Sequence, residues 1–101
     1  MMKVITCNVN GIRSANRKGF FAWLRSEDPD FICLQETKAQ SDVLSQDEFV
    51  VPGYQAVFSS ADKKGYSGVG IYSKYPVDSV STELGHPYFD TEGRFIQVQC
   101  G

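Results

Sequence analysis

The sequence predicts an α/β fold, and three stretches predict it. Phe31-Ile32-Cys33-Leu34 is a continuous apolar run that ends in the polar residues Gln35, Glu36, Thr37 and Lys38. That is the pattern of a strand buried on both faces. Val4, Ile5, Cys7 and Val9 make an earlier run rich in β-branched residues, also suited to a strand. Between the two, Ile12, Ala15, Phe20, Trp23 and Leu24 recur near helical spacing, which predicts an amphipathic helix over about Ser14 to Ser26. Strand, helix and strand in this order form a βαβ unit with parallel strands and a right-handed crossover.

The first strand ends in Asn8-Val9-Asn10-Gly11, where Asn-Gly is a turn signal. Gly19 weakens the helix that follows, and Asp28-Pro29-Asp30 stops it. After the second strand, Ser41 to Val50 is a shorter helix candidate; Ser45-Gln46-Asp47-Glu48 has the form of a capping box. Pro52-Gly53 is a turn, and Tyr54 to Phe58 alternates as a strand. The glycines at 65, 68 and 70 permit close approach of a ligand or of another strand. Val77 to Leu84 reads as a strand, Gly85-His86-Pro87 as a loop, and Asp90 to Arg94 as a turn into a last strand, Phe95 to Cys100.

With 101 residues the chain is at most one small domain, and 42% hydrophobic with 22% charged residues is a globular composition. The net charge of −2 gives no bulk support for nucleic-acid binding, but the charges are unevenly distributed. From Met1 to Ser26 there are five bases (Lys3, Arg13, Arg17, Lys18, Arg25) and no acid; from Glu27 to Asp62 there are eight acids and only Lys38 as a base. A cationic rim beside an anionic pocket has this signature, and so does a solvated helix face. Cys7, Cys33 and Cys100 are too widely spaced for a metal motif or a disulfide framework. Free thiols, with no long apolar segment, fit a cytoplasmic protein without membrane contact.

In a parallel βαβ unit, Asn8 and Glu36 emerge at the same edge of the sheet, where α/β folds bind ligands. A carboxylate there suits a hard divalent cation such as Mg²⁺, which takes one or two carboxylates plus phosphate oxygens. Asn8 can orient a neighbouring carboxylate or phosphate, or simply cap its own turn; Glu36 can equally be an ordinary strand-end residue. Lys63, Lys64 and Tyr66 beside flexible glycines suit a phosphate backbone with a sugar or base next to it, or form a solvated hairpin turn. Arg94 can reach a phosphate bidentately, or pair with Asp90 or Glu92. His86, the only histidine, reads as an incidental surface residue.

Taken together, Asn8-Val9-Asn10-Gly11-Ile12-Arg13, Ile32-Cys33-Leu34-Gln35-Glu36-Thr37-Lys38, Lys64-Gly65-Tyr66-Ser67-Gly68-Val69-Gly70 and Glu92-Gly93-Arg94 resemble the exonuclease III family of abasic-site (AP) endonucleases. This family lies within the endonuclease/exonuclease/phosphatase superfamily. The four motifs, in order and at similar spacing, span nearly the whole chain.

The resemblance implies a four-layer α/β sandwich, two mixed β-sheets flanked by helices, of which residues 1–101 are the N-terminal half and the C-terminal half is missing. It implies a Mg²⁺-dependent DNA-repair hydrolase, with Mn²⁺ as an alternative ion. Such an enzyme cleaves the phosphodiester 5′ to an abasic site and has related 3′→5′ exonuclease and 3′-phosphatase activities. Its partner is double-stranded DNA with abasic sites or 3′ ends, and no obligate protein partner is implied. By position, Asn8 and Glu36 are the catalytic pair, with Glu36 as metal ligand. Asn10 stands where some members have Asp. Arg13, Gly65, Tyr66 and Arg94 match DNA-contact positions. The catalytic tyrosine, the Gly-Asp-x-Asn segment and the terminal Asp-His pair of the family lie further along its chain, so the fragment alone is expected to be inactive. Two alternatives stand beside this: a superfamily phosphatase acting on a lipid or inositol phosphate, and a non-catalytic Mg²⁺-binding domain of receiver type.

Overall fold

The computed structural model describes residues 1–101. In order, the elements are β1 (Val4–Asn8), α1 (Ile12–Arg17), α2 (Phe20–Glu27), β2 (Phe31–Gln35), α3 (Ser41–Leu44), a 3-10 turn (Asp47–Phe49), β3 (Gln55–Ser59), β4 (Val69–Ser73), β5 (Ser79–Ser81), α4 (Pro87–Asp90) and β6 (Gln97–Gln99). Four strands form one mixed sheet in the order β1-β2-β4-β3, and β5 pairs with β6 in a separate two-stranded sheet. The βαβ expectation holds. β1 and β2 are parallel neighbours, with Ile5 opposite Ile32 and Asn8 opposite Gln35. β4 runs antiparallel to both β2 and β3.

The expected single helix is two. Lys18 ends α1, and Gly19 takes φ 88 before α2 begins. A left-handed residue breaks the helical hydrogen-bond ladder, and glycine takes that conformation without a Cβ penalty. The turn lets Ile12 of α1 and both Phe21 and Leu24 of α2 reach the core, while Trp23 stays exposed. The second helix candidate is likewise short. Ser45 follows α3, with its hydroxyl donating back to the carbonyl of Asp42 at 3.3 Å. It therefore caps nothing ahead of it, and the expected capping box does not form.

β2 is not buried equally on both sides. Ile32 and Leu34 are fully buried beneath the helices, whereas Phe31, Cys33 and Gln35 on the other face are half-buried. The helix side carries the core: Ile12, Phe21, Leu24, Ile32, Leu34, Phe49 and Tyr72 among others. Its aromatic centre joins Phe21 to Tyr72 (ring centroids 5.8 Å apart) and to Phe49 (6.0 Å). The buried Tyr72 hydroxyl donates to the Phe49 carbonyl at 2.6 Å, which satisfies both groups away from water. On the opposite face Val4 is 58% exposed.

The C-terminal third is less regular than expected. The strand predicted over Val77 to Leu84 shrinks to Ser79–Ser81, and a short helix, Pro87–Asp90, joins the expected Gly85–Pro87 loop to the expected Asp90–Arg94 turn. His86 is its N-cap, with Nδ1 accepting the Tyr88 N–H at 3.2 Å, and Pro87 occupies the first turn, where a missing N–H costs nothing.

Candidate active site

The site is built at the ends of β1 and β2. Parallel pairing puts Asn8 beside Gln35, and the next residue on β2's path is Glu36. Asn8 Nδ2 donates to Glu36 Oε2 at 2.6 Å, and Asn8 Oδ1 accepts the Asn10 N–H at 3.0 Å. Both readings of Asn8 are thus realised by one amide: it caps its own turn and orients the carboxylate. The amide's orientation follows from its partners, because a backbone N–H needs the oxygen and a carboxylate needs the nitrogen.

Four residues with side chains around this edge take left-handed backbone: Asn10 (φ 47), Glu36 (φ 55), Lys38 (φ 53) and Ser67 (φ 51). Such conformations persist only where the surroundings over-determine them. Here backbone hydrogen bonds lace three loops together. Gly11 N donates to Glu36 O (2.7 Å), Ile12 N to Thr37 O (2.9 Å), Thr37 N to Gly68 O (3.1 Å), Lys38 N to Ser67 O (2.8 Å) and Gly68 N to Gly93 O (3.0 Å). Two glycines make the lacing tight enough. A Cβ on Gly68 would stand 2.3 Å from Thr37 Oγ1, and one on Gly93 would stand 2.5 Å from the Ala61 nitrogen. Thr37 Oγ1 is itself buried without a hydrogen-bond partner.

Lys38 completes the centre. Its Nζ lies 3.5 Å from Glu36 Oε1 and donates to Asn10 Oδ1 at 2.7 Å. The Asn8 hydrogen bond, with the Lys38 charge, holds the Glu36 carboxyl below the ordinary carboxylate range against the opposing effect of desolvation. Glu36 is therefore an anion at neutral pH, with its side chain 44% exposed. One accessible carboxylate, steadied by a neutral amide and already attracting one cation, fits a hard divalent ion that completes its shell with water and phosphate oxygens. No group of three or more His, Cys, Asp and Glu side chains converges to make a cage of the zinc type.

The expected DNA-contact residues fall in two groups. Arg13, near the start of α1, donates from Nη2 to the Lys38 carbonyl at 3.4 Å. With Gly65 it borders a polar recess of about 330 Å³ that also includes Gly11, Ser14, Arg17 and Lys38. Tyr66 and Arg94 form the second group. The Tyr66 hydroxyl donates to Glu92 Oε1 at 2.7 Å and accepts from Arg94 Nη2 at 2.6 Å. The Lys63 ammonium and the Arg94 guanidinium lie 5.3 and 5.6 Å from the Tyr66 ring centroid, within cation–π range. Arg94 also pairs with Glu92 at 3.4 Å, so the surface pair considered from sequence is present. The Glu92 hydrogen bond keeps the Tyr66 phenol protonated beyond its ordinary range.

Sequence reasoning missed Lys38, the Tyr66–Glu92 hydrogen bond and the Thr37–Gly68 contact as parts of the site. For Lys38 a signal existed: it is the sole base between Glu27 and Asp62, two residues after the carboxylate. The other two depend on partners about thirty positions away in the chain and leave no local mark.

With this geometry in hand, comparison with known proteins gives a consistent answer. An exodeoxyribonuclease of Bacillus subtilis (strain 168) is 41% identical over 99 residues, covering 97% of this chain and 38% of the relative. An AP endonuclease from Archaeoglobus fulgidus matches in structure with a TM-score of 0.83 at 36% identity, covering 99% of this chain and 37% of that one. The 3′ phosphatase NExo from Neisseria, bound to product DNA hairpin, matches with a TM-score of 0.82 at 27% identity over 99% of this chain and 38% of that one. The chain therefore spans well under half the length of these proteins. Its residues 5–100 match the endonuclease/exonuclease/phosphatase family, and it belongs to that family, alongside its AP-endonuclease and exodeoxyribonuclease members.

Proposed function

We propose that this chain carries the metal-binding carboxylate and part of the DNA-binding surface of a Mg²⁺-dependent DNA-repair nuclease. The reading rests on one observation above all. Asn8, Glu36 and Lys38 meet at the C-terminal edge of two parallel strands, with Glu36 ionised and accessible. The reaction is hydrolysis of a phosphodiester 5′ to an abasic site in double-stranded DNA. A water oxygen bonds to phosphorus, the bond from phosphorus to the 3′ oxygen breaks, and that oxygen takes a proton. The same bond breaks when a 3′-terminal nucleotide or a 3′-phosphate is removed, so one site serves endonuclease, 3′→5′ exonuclease and 3′-phosphatase action. Each leaves a 3′-hydroxyl.

Mg²⁺, or Mn²⁺ in its place, held by Glu36, would supply charge neutralisation at the phosphoryl oxygens. Asn8 fixes the carboxylate's orientation through its 2.6 Å hydrogen bond. Lys38 adds positive charge beside the bound strand. Arg13 and Arg94 hold phosphates of the strand to either side, and Tyr66 packs against a sugar or base. On this reading residues 1–101 are the N-terminal portion of one domain, and the group that deprotonates the water comes from residues beyond them.

The test pairs binding with cleavage. Glu36→Gln removes the charge and nearly keeps the shape. It should weaken Mn²⁺ binding to the chain and lower nicking of abasic duplex DNA by the full-length protein by at least ~10²-fold. Parent-like nicking across a Mg²⁺ titration would overturn the assignment. Efficient hydrolysis of a soluble inositol phosphate, without action on abasic DNA, would replace the nuclease reading with the phosphatase one. Mg²⁺-dependent nicking by residues 1–101 alone, lost in Glu36→Gln, would show that the chemistry needs nothing beyond them.

A further inference from the structure

Lys38 stands where a metal ion bound to Glu36 would be repelled by it. Its ammonium lies 3.5 Å from Glu36 Oε1, and two cations cannot share that carboxylate without cost. The backbone at Lys38 is pinned: its N–H donates to Ser67 O at 2.8 Å, and its carbonyl accepts from Arg13 at 3.4 Å. The side chain is held less firmly. It is 37% exposed, and its hydrogen-bond partner is the neutral Asn10 amide, which holds the ammonium without cancelling its charge.

The side chain also has a second place to go. The recess it borders is lined by three cations, Arg13, Arg17 and Lys38, and by Gly11, Ser14 and Gly65, with no acid among the six. Lys64 borders the adjoining recess, which again includes Arg13 and Lys38 and holds one acid, Asp42, against these three bases. Arg13 and Arg17 have no carboxylate partner, whereas the Lys38 charge already faces Glu36; two unpaired cations around one recess leave it in need of an anion, and a phosphate of a bound strand meets that need.

We propose that Lys38 is a place-holding cation. It occupies the Glu36 carboxylate while no divalent ion is bound, and it passes to a phosphate in the Arg13–Arg17 recess when the ion takes Glu36. Ion binding and DNA binding then reinforce each other, because each relieves the charge conflict that the other creates, and the coupling is the same in either direction. The inference rests on Glu36 as the metal-binding carboxylate and adds to it a built-in exchange of cations.

The experiment is a Mn²⁺ titration of the chain, followed by electron paramagnetic resonance, with and without a duplex carrying a non-cleavable abasic analogue. Far-UV circular dichroism of each variant checks the fold. Lys38→Met keeps the aliphatic stem and removes the charge. Without DNA it should bind Mn²⁺ about 3- to 10-fold more tightly, the scale of an exposed charge interaction with a divalent ion. With DNA its advantage should vanish, so the factor by which duplex tightens Mn²⁺ binding falls by a similar amount. Lys38→Arg retains a cation and should resemble the parent in both titrations.

Unchanged Mn²⁺ affinity in Lys38→Met, with binding lost in Glu36→Gln, overturns the exchange and leaves the metal site standing. A coupling factor equal to the parent's in Lys38→Met does the same. Full Mn²⁺ binding in Glu36→Gln overturns the metal site, and the exchange with it.

Discussion

Gly68→Ala tests whether the lacing of loops around Glu36 is as tight as the geometry states. Two costs add. At φ +92 an alanine is held in a left-handed conformation, which costs about 1–2 kcal/mol. Its Cβ would also stand 2.3 Å from Thr37 Oγ1, and Thr37 is only 1% exposed. The threonine cannot swing away, so about 1–3 kcal/mol of overpacking follows. The sum is a loss of about 2–5 kcal/mol, a large share of a small domain's stability. Gly65→Ala is the internal control. Gly65 has φ +70 with nothing within 4 Å of its virtual Cβ, so it should lose only the backbone cost of about 1–2 kcal/mol. The assay is urea denaturation of the parent, both single variants, Thr37→Ala and the double variant Gly68→Ala/Thr37→Ala. Removing the Thr37 hydroxyl and methyl should recover most of the steric part, giving a coupling energy of about 1–3 kcal/mol in the cycle. If Gly68→Ala costs no more than Gly65→Ala, or if Thr37→Ala rescues nothing, the close approach of the two loops is wrong.

Arg13→Ala and Arg94→Ala should each weaken duplex binding whatever the sequence and reduce the log–log salt slope by about one; an unchanged slope in fluorescence anisotropy titrations would return both to the solvated surface. Tyr72→Phe leaves the buried Phe49 carbonyl without its donor and should cost about 1–3 kcal/mol in denaturant unfolding, whereas a neutral result would mean that water reaches the carbonyl. Asp30 accepts from the Lys3 backbone N–H at 2.6 Å and from the Tyr75 hydroxyl at 2.9 Å, and these bonds, the Lys3 one foremost, hold its carboxyl below the ordinary range. A carboxyl depressed in the folded state stabilises above its unfolded pKa and loses that contribution as pH falls through the folded one. Asp30→Asn should therefore destabilise at neutral pH and flatten the acid limb below about pH 4. A parallel acid limb in parent and variant would contradict the assignment.

Much of the site was legible because its signals are local. The apolar run before Glu36 marks a strand, the helical spacing after Gly11 marks a crossover, and a crossover forces the strands parallel. Those three facts alone bring Asn8 to Glu36, now seen as a 2.6 Å hydrogen bond. The net charge was uninformative because it sums over the whole chain, whereas the cations that matter, Arg13, Arg17, Lys38 and Lys64, gather around adjoining recesses.

What tertiary structure alone decided is long-range or conformational. Gly19 could have sat inside one helix at modest cost; docking Ile12 and Leu24 together on the sheet makes the left-handed break the better solution. The side of β2 that faces the core depended on which sheet face the helices cover, and a continuous apolar run is silent on that. Ser45 had the letters of a capping box, but capping needs a helix start that packing did not place there. Lys38 shows the division most clearly. Its identity and its place two residues after Glu36 are written in the chain, but its role depends on Asn10, 28 residues away, and on a recess shared with α1. Periodicity and turn chemistry describe what a residue does with its neighbours in sequence, and a charge acts on whatever the fold brings within a few ångströms.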